Sequence, residues 1–522
     1  MIRRSQALLL LVLAGCNYDS NGQGTESVPT PVSATGSDSG SATGTTTSSG
    51  TSGSGSLDGT STGTSTDTDC PPGEAGCPCD EDMCSGELLC FAGECISPVC
   101  GNQRVEGPEE CDDANAVPFD GCEDDCTFSA GVRTLALGEH HACAAFHTGR
   151  VKCWGEFAAG RLGYPGQRSD IGDDETPATM DWLDLSEPVA QLSLGYDHSC
   201  ALHTNGTVRC WGLGSTGRLG HGDTSDIGDD EAPGSLDPID LGGNAVQISA
   251  GTSHTCALLD DAQVRCWGRN NRGQLGMGMG ENVGDNEAPG SLPPVNLGDN
   301  ALQVSCGHEY SCALLDTGEV RCWGHNNIGQ LGRGNTDDLG LDQNPAAQPP
   351  VSLPEDADLV ACGRNHCCVR LVTGDMMCWG EGGSGRLGYG NTTDYGDDET
   401  LEAVPPVIPP SPIVQLTANG LHTCALLEDD SLRCWGEADR GRLGLGDNSD
   451  QFSPPMTPID TGLTGAPLGI ATGNAFTCAH YEDGQVKCWG ENDHGQLGYG
   501  DAFTDNLGDD EPLDMVGAVP LE

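Results

Sequence analysis

Seven pairs of cysteines stand ten residues apart, and the second member of each directly precedes a tryptophan. They are Cys143 with Cys153, Cys200 with Cys210, Cys256 with Cys266, Cys312 with Cys322, Cys368 with Cys378, Cys424 with Cys434, and Cys478 with Cys488. Each pair flanks a short turn between two runs of strand-like alternation, so its members face each other across a hairpin. Facing Cβ atoms approach to about 4.5–5.5 Å, close to what a disulfide needs. Each bridge would close a loop worth about 2–3 kcal/mol in the chain-entropy model. Seven pairs of reduced thiols are the alternative, and export of the chain argues against it. Cys306, Cys362 and Cys367 remain. Cys306 and Cys362 hold equivalent places in adjacent repeats, which predicts a Cys306–Cys362 bridge between units and a free, buried Cys367. A Cys362–Cys367 link is the rival, disfavoured because it would cross the turn joining two strands of one unit.

Other repeated side chains could bind ligands. His141, His198, His254, His366 and His422 share one position, which Tyr310 and Phe476 fill in the remaining repeats. Exchange with plain aromatics predicts a flat, buried ring and a structural role. Lys152, Arg209, Arg265, Arg321, Arg433 and Lys487 lie two before their tryptophans, on the same strand face, where a cation–π contact is plausible. Acidic loops also recur, including Asp173, Asp174 and Glu175 in one unit and Asp229, Asp230 and Glu231 in the next. Carboxylates of this kind could bind calcium, although their spacing is not that of an EF-hand and solvated loops are the plainer reading. No HExxH pair or P-loop is present. The candidate histidines and aspartates are periodic, whereas a catalytic site would break the symmetry. The chain is therefore not expected to be an enzyme, and no cofactor beyond possible calcium is expected.

The elements that must position these residues follow from the spacing. The repeated tryptophans fall at 154, 211, 267, 323, 379, 435 and 489, a period of 54–57 residues. Within each unit "AVQISAG", "HTCALL" and "VRCWG" read as strands, separated by clusters of Gly, Asp and Asn. An extended piece such as "PPVNLG" suggests a fourth strand. The chain is all-β, and a repeat of this length suggests propeller blades. "GTSHTCALLDDAQVRCWGRNNRGQLGMG" resembles the regulator of chromosome condensation repeat in its bacterial form. The resemblance rests on Gly-x-x-His, Trp-Gly and Gly-Gln/Arg-Leu-Gly, and it covers residues 130–522. It implies a seven-bladed β-propeller. The C-terminal "DEPLDMVGAVPLE" matches the outer part of a unit and is expected to pair into the first blade, which lacks that part.

Ahead of the repeats, Arg3 and Arg4 precede "ALLLLVL" and then "LAGC". A basic end before a short apolar core reads as a secretory signal, too short to span a bilayer. Leu13-Ala14-Gly15-Cys16 resembles the lipobox of bacterial lipoproteins. The resemblance implies cleavage of residues 1–15, acylation of Cys16, and anchoring at an outer membrane or cell surface. Residues 17–69 are Ser, Thr, Gly and Asp almost throughout, and so should form a disordered tether spanning about 40 Å. Residues 70–128 carry ten cysteines, the density of a small module held by disulfides. Its second half, "CGNQRVEGPEECDDANAVPFDGCEDDC", resembles a Cys-rich repeat of bacterial surface proteins.

The formal charge of −57 excludes nucleic acid as a partner, since phosphates need Lys and Arg, and leaves the lipid anchor as the sole expected membrane contact. The combined expectation is a surface-anchored scaffold whose propeller loops bind a protein or glycan. One bacterial relative of this propeller family inhibits β-lactamases, which makes inhibition of an extracellular enzyme the alternative. An aromatic content of 5% speaks against a tight inhibitory face.

Overall fold

A computed structural model describes residues 131–522 and the backbone of three short strands ahead of them: β1 (Cys77–Pro78), β2 (Leu89–Phe91) and β3 (Glu94–Ile96). These three form an antiparallel sheet in the order β1-β3-β2, with Cys95 opposite both Cys77 and Cys90. Cys16, the 17–69 segment and the disulfide pairing of residues 70–126 lie outside the described residues.

Residues 131–522 fold into seven three-stranded antiparallel sheets, one per repeat. The first comprises β4 (Val132–Leu137), β5 (His141–Phe146) and β6 (Val151–Gly155). The pattern recurs through to the seventh, β22 (Pro467–Thr472), β23 (Phe476–Tyr481) and β24 (Val486–Gly490). The middle strand is buried along its whole length in the first and last sheets alike, which explains why "HACAAF" and "FTCAHY" scarcely alternate. Each first strand is bulged near its start, as between Val132 and Thr134.

The expected fourth strand is not a strand. Val295 of "PPVNLG" donates one backbone bond to Val264, and Pro293 and Pro294 beside it have no N–H to extend the ladder. The C-terminal segment likewise bonds its own sheet, through Val519 N–H to Val486 O, and not the first. In the first repeat the carbonyl of Pro520 accepts from Ala178 N–H.

Tryptophan joins one sheet to the next. Trp211 Nε1 donates to Arg161 O at 2.9 Å, and Trp267, Trp323, Trp379, Trp435 and Trp489 make the same bond to the Gly-Gln/Arg-Leu-Gly turn of the preceding sheet. Trp154 of the first sheet bonds Gln496 O of the seventh, at 2.9 Å. The turn's last glycine has to sit under the indole. Gly163 has φ +75°, and a Cβ there would lie 3.0 Å from Trp211 Nε1.

All seven ten-residue cysteine pairs are bonded, with Cα atoms 4.0–4.1 Å apart. Cys143 is bonded to Cys153, Cys200 to Cys210, Cys256 to Cys266 and Cys312 to Cys322. In the last three sheets Cys368 is bonded to Cys378, Cys424 to Cys434 and Cys478 to Cys488. These bridges join second to third strands inside the folded sheets, because the register sets each first cysteine directly opposite its partner. Thus Cys143 faces Cys153, Cys200 faces Cys210 and Cys478 faces Cys488.

The expected Cys306–Cys362 bridge does not form, and Cys367 is not free. Cys362 bonds Cys367, its direct cross-strand neighbour in the fifth sheet, and Cys306 is the free, buried thiol. Equivalent side chains in successive sheets point the same way, so Cys306 approaches Cys256 of the third sheet while Cys362 approaches Cys312 of the fourth. The fourth sheet stands between the two sulfurs. Non-reducing peptide mapping should recover Cys362 linked to Cys367. Among residues 131–522 only Cys306 should be alkylated, and only after unfolding; a Cys306–Cys362 peptide would contradict this pairing.

Candidate interaction face and the latches beneath it

The repeated histidines are wholly buried and bridge adjacent sheets. His141 Nε2 lies 2.9 Å from Ser199 Oγ, and His198, His254, His366 and His422 meet Thr255, Ser311, Thr423 and Thr477 in the same way. Ser199 Oγ donates onward to Arg161 O, so it accepts from His141 Nε2–H, which assigns the tautomer. Nδ1 is then a buried acceptor with no partner. Burial holds these rings far below the ordinary imidazole range, His254 and His366 at about 3, so they are neutral. Tyr310 and Phe476 replace histidine where the next sheet offers Cys367 and Ala142 in place of Ser or Thr. Gly138 leaves room for the ring, since a Cβ there would fall 2.3 Å from His141 Cε1. The role of these histidines is packing.

The cations before the tryptophans do not stack on them. Lys152 Nζ donates to the carbonyls of Pro177, Ala178 and Met180 at 2.8–3.2 Å, and Lys487 binds those of Val516 and Gly517. Arg265 and Arg321 likewise donate to the Pro289 and Pro345 carbonyls, so these four cations tie down the loop that follows their own strand. The ring that Lys152 overlies is Trp182, 5.0 Å away.

A second latch goes beyond what the sequence reading identified. Gln191 donates its amide to Ile248 O and accepts from Ile248 N–H, joining the first strands of neighbouring sheets, and Gln303 and Gln415 do likewise with Val360 and Ile470. Ser193, Ser249 and Ser305 add an acceptor two residues on. The signal lies in "AQLS", "VQIS", "LQVS" and "VQLT", whose polar residues sit on otherwise apolar strands. These first strands line a cavity of about 290 Å³, whose wall amides are spent on the latches.

The cavity opens on the face formed by the first-to-second strand turns and the segments after each third strand, which meet through bonds such as Glu156 N–H to His140 O. Tyr196, Arg272 and Arg364 are exposed on this face. Arg161 bridges Glu156 at 2.5 Å and Asp197 at 2.6 Å. Burial, and then the charge of Asp197, pushes the Glu139 carboxyl up to about 8. The opposite face carries the second-to-third strand hairpins and is acidic, with Asp260, Asp261, Asp316, Glu319, Glu428 and Asp429 exposed.

The acidic loops gather their carboxylates as the spacing suggested. Asp173, Asp174 and Glu175 bring one oxygen each within 4.8 Å of the others, as do Asp229, Asp230 and Glu231. Burial and the adjoining carboxyls push Glu175 and Glu231 up to about 7. Three side-chain oxygens are half or fewer of the six to eight that calcium takes, and nothing in the arrangement selects that ion.

Known proteins share this architecture. The sequence profile of the RCC1-like domain matches residues 229–518, and that of the regulator of chromosome condensation repeat matches 189–218. The ultraviolet-B receptor UVR8 of Arabidopsis thaliana is 31% identical over 383 residues, covering 72% of this chain and 80% of the receptor. The mitochondrial RCC1 domain-containing protein RUG3 of the same plant is 30% identical, over 58% of this chain and 66% of its own. Among solved structures, yeast RCC1 (Prp20) bound to Kap60 superposes with a TM-score of 0.56 at 19% identity, over 73% of this chain and 84% of that one.

These matches correct the expectation of an exported, lipid-anchored bacterial surface protein. The relatives are plant, human, mouse and yeast proteins, one of them named as mitochondrial. The lipoprotein reading stood on one tetrapeptide and a short apolar run, against a similarity hundreds of residues long. Glycan binding and enzyme inhibition find no support in what the relatives are named for, and the yeast RCC1 structure holds a protein, Kap60. With its profile matched over more than half of its length, the chain belongs to the RCC1-like domain family.

Proposed function

We propose that the seven sheets close into a seven-bladed β-propeller that serves as a non-catalytic scaffold, docking a protein partner on the face bearing Tyr196, Arg272 and Arg364. Closure is supported by the seventh use of the tryptophan latch. Trp154 takes its carbonyl from Gln496, and Asn474 N–H donates to Gly138 O, so the last sheet serves the first as every sheet serves its successor. A closed ring leaves only the short outer edges of its sheets available to other chains.

The observation that carries the docking reading is the inequality of the two faces. One combines arginines and a tyrosine around the cavity mouth, the residue types that dominate protein interfaces. The other is a field of carboxylates, suited to solubility. The yeast relative is seen bound to Kap60, which supports a protein as the class of partner. Photo-crosslinkers placed in living cells at 196, 272 and 364 should capture a protein, and those at 260, 316 and 429 should not. R272E/R364E should abolish that capture while leaving the melting temperature within about 2 °C, as expected for surface changes. Capture from the acidic face alone would refute the assignment.

A further inference from the structure

Among the histidines outside the repeated position, His140 and His494 come together. His140 lies in the turn between β4 and β5, and His494 in the turn after β24. No other sheet has histidine at either position: Asp197, Ser253 and Glu309 stand where His140 would be, and Thr216, Arg272 and Ile328 where His494 would be. The two meet only because the seventh sheet lies beside the first. Their ring centroids are 4.9 Å apart. One ligand atom each from His140, Glu156 and His494 falls within 4.8 Å of the others.

The surroundings are those of a metal ligand set. His494 Nδ1 lies 3.0 Å from Asp170 Oδ2, a carboxylate–imidazole contact that orients the ring and leaves Nε2 for another partner. Nδ1 of His140 is buried without a hydrogen-bond partner. The His140 nitrogens stand 3.6 Å from Glu139 and Glu491, too far for good hydrogen bonds. Glu156 is held by Arg161 and keeps further lone pairs for a second partner. Glu156, Asp170, Glu491 and Asp493 outnumber Arg161 and Arg440 here, so the site attracts a cation.

We infer that His140, Glu156 and His494 bind one zinc ion, which clamps the first sheet to the seventh. Two imidazoles with one carboxylate suit zinc and not calcium or magnesium, which prefer oxygen throughout. Three protein ligands leave a fourth tetrahedral position for water. The inference rests on the ring closure proposed above, since the ligands come from its two ends.

The test uses the full, oxidised chain, stripped with chelator and titrated with zinc chloride by calorimetry at neutral pH. The wild type should bind one zinc that H140Q and H494Q each bind at least about ten-fold more weakly, and D170N about 10–100-fold more weakly. H308Q, on the same face and outside the cluster, should bind as the wild type does. Cobalt added in place of zinc should give the visible absorption of a four-coordinate site, lost in H140Q and H494Q. Titration curves of H140Q and H494Q that overlie the wild type would overturn the site, as would a wild type that binds no zinc. Hydrogen exchange on the metal-free chain separates this failure from that of the ring. A protected Asn474 amide, bonded to Gly138 O, with no zinc bound leaves the closed ring standing and removes the site. A freely exchanging Asn474 removes both.

Discussion

Lowering the pH from 7.5 to 5.5 should remove several kcal/mol from the stability of the seven-sheet domain, a large share of what a typical domain has. The five latch histidines are the cause. Their pKa values are depressed in the folded state by burial, so their contribution is fully present above the unfolded value near 6.5 and is lost as pH falls below it. Each ring takes up a proton only on unfolding, at about 1.4 kcal/mol per pH unit. His203 and His480 act in the same direction. Glu175, Glu231 and Glu511 act in the opposite one, because carboxyls raised to about 7 gain protons in the folded state. They sit in solvent-facing loops where screening weakens them; buried Glu139, raised to about 8, opposes the rings more strongly, but the five rings together prevail. Thermal melts at the two pH values measure the effect, and H198F/T255A identifies its source. That pair copies Phe476 and Ala142, which hold the same places in the seventh and first sheets. It should flatten the pH dependence by about one fifth; an unchanged dependence would show that the histidines are not responsible.

The same latch shows how much of the fold is legible in the sequence. The period, the three strands and the ten-residue cysteine pairs are legible because each is a short-range pattern repeated seven times. A buried ring at the histidine position is legible from its exchange with Tyr310 and Phe476. Its partner is harder to find, although the rule is there: histidine occurs where the repeat one place on has Ser or Thr, as His141 with Ser199, and not where it has Cys367 or Ala142. Contacts between repeats demand a comparison one period apart, which a pass along one unit does not make. The Cys306–Cys362 expectation fails for the related reason that period alone sets position, while side-chain direction sets contact. His140 and His494 escape any reading of the periodic residues, because neither is periodic.

Reduction should have the second large effect, and it should be slow to start. The fourteen cysteines of the seven hairpin bridges are at most 3% exposed, so a thiol reagent cannot reach them in the folded state. The native protein should therefore resist dithiothreitol at 25 °C, with loss of structure governed by the rate of unfolding and not by reductant concentration. Once unfolded and reduced, the chain gives up about 2–3 kcal/mol of loop-closure entropy per bridge, and seven bridges together far exceed the stability of a typical domain. Even if neighbouring bridges are only partly additive, the reduced chain should not refold at 37 °C. A single change, C424A/C434A, should be survivable, since it removes one short loop and leaves six of the hairpin bridges. Its melting temperature should fall by several degrees while its circular dichroism stays that of the parent. A reduced chain that refolds with an unchanged melting temperature would mean that tryptophan, histidine and glutamine latches suffice, and that the bridges merely record the proximity those latches create.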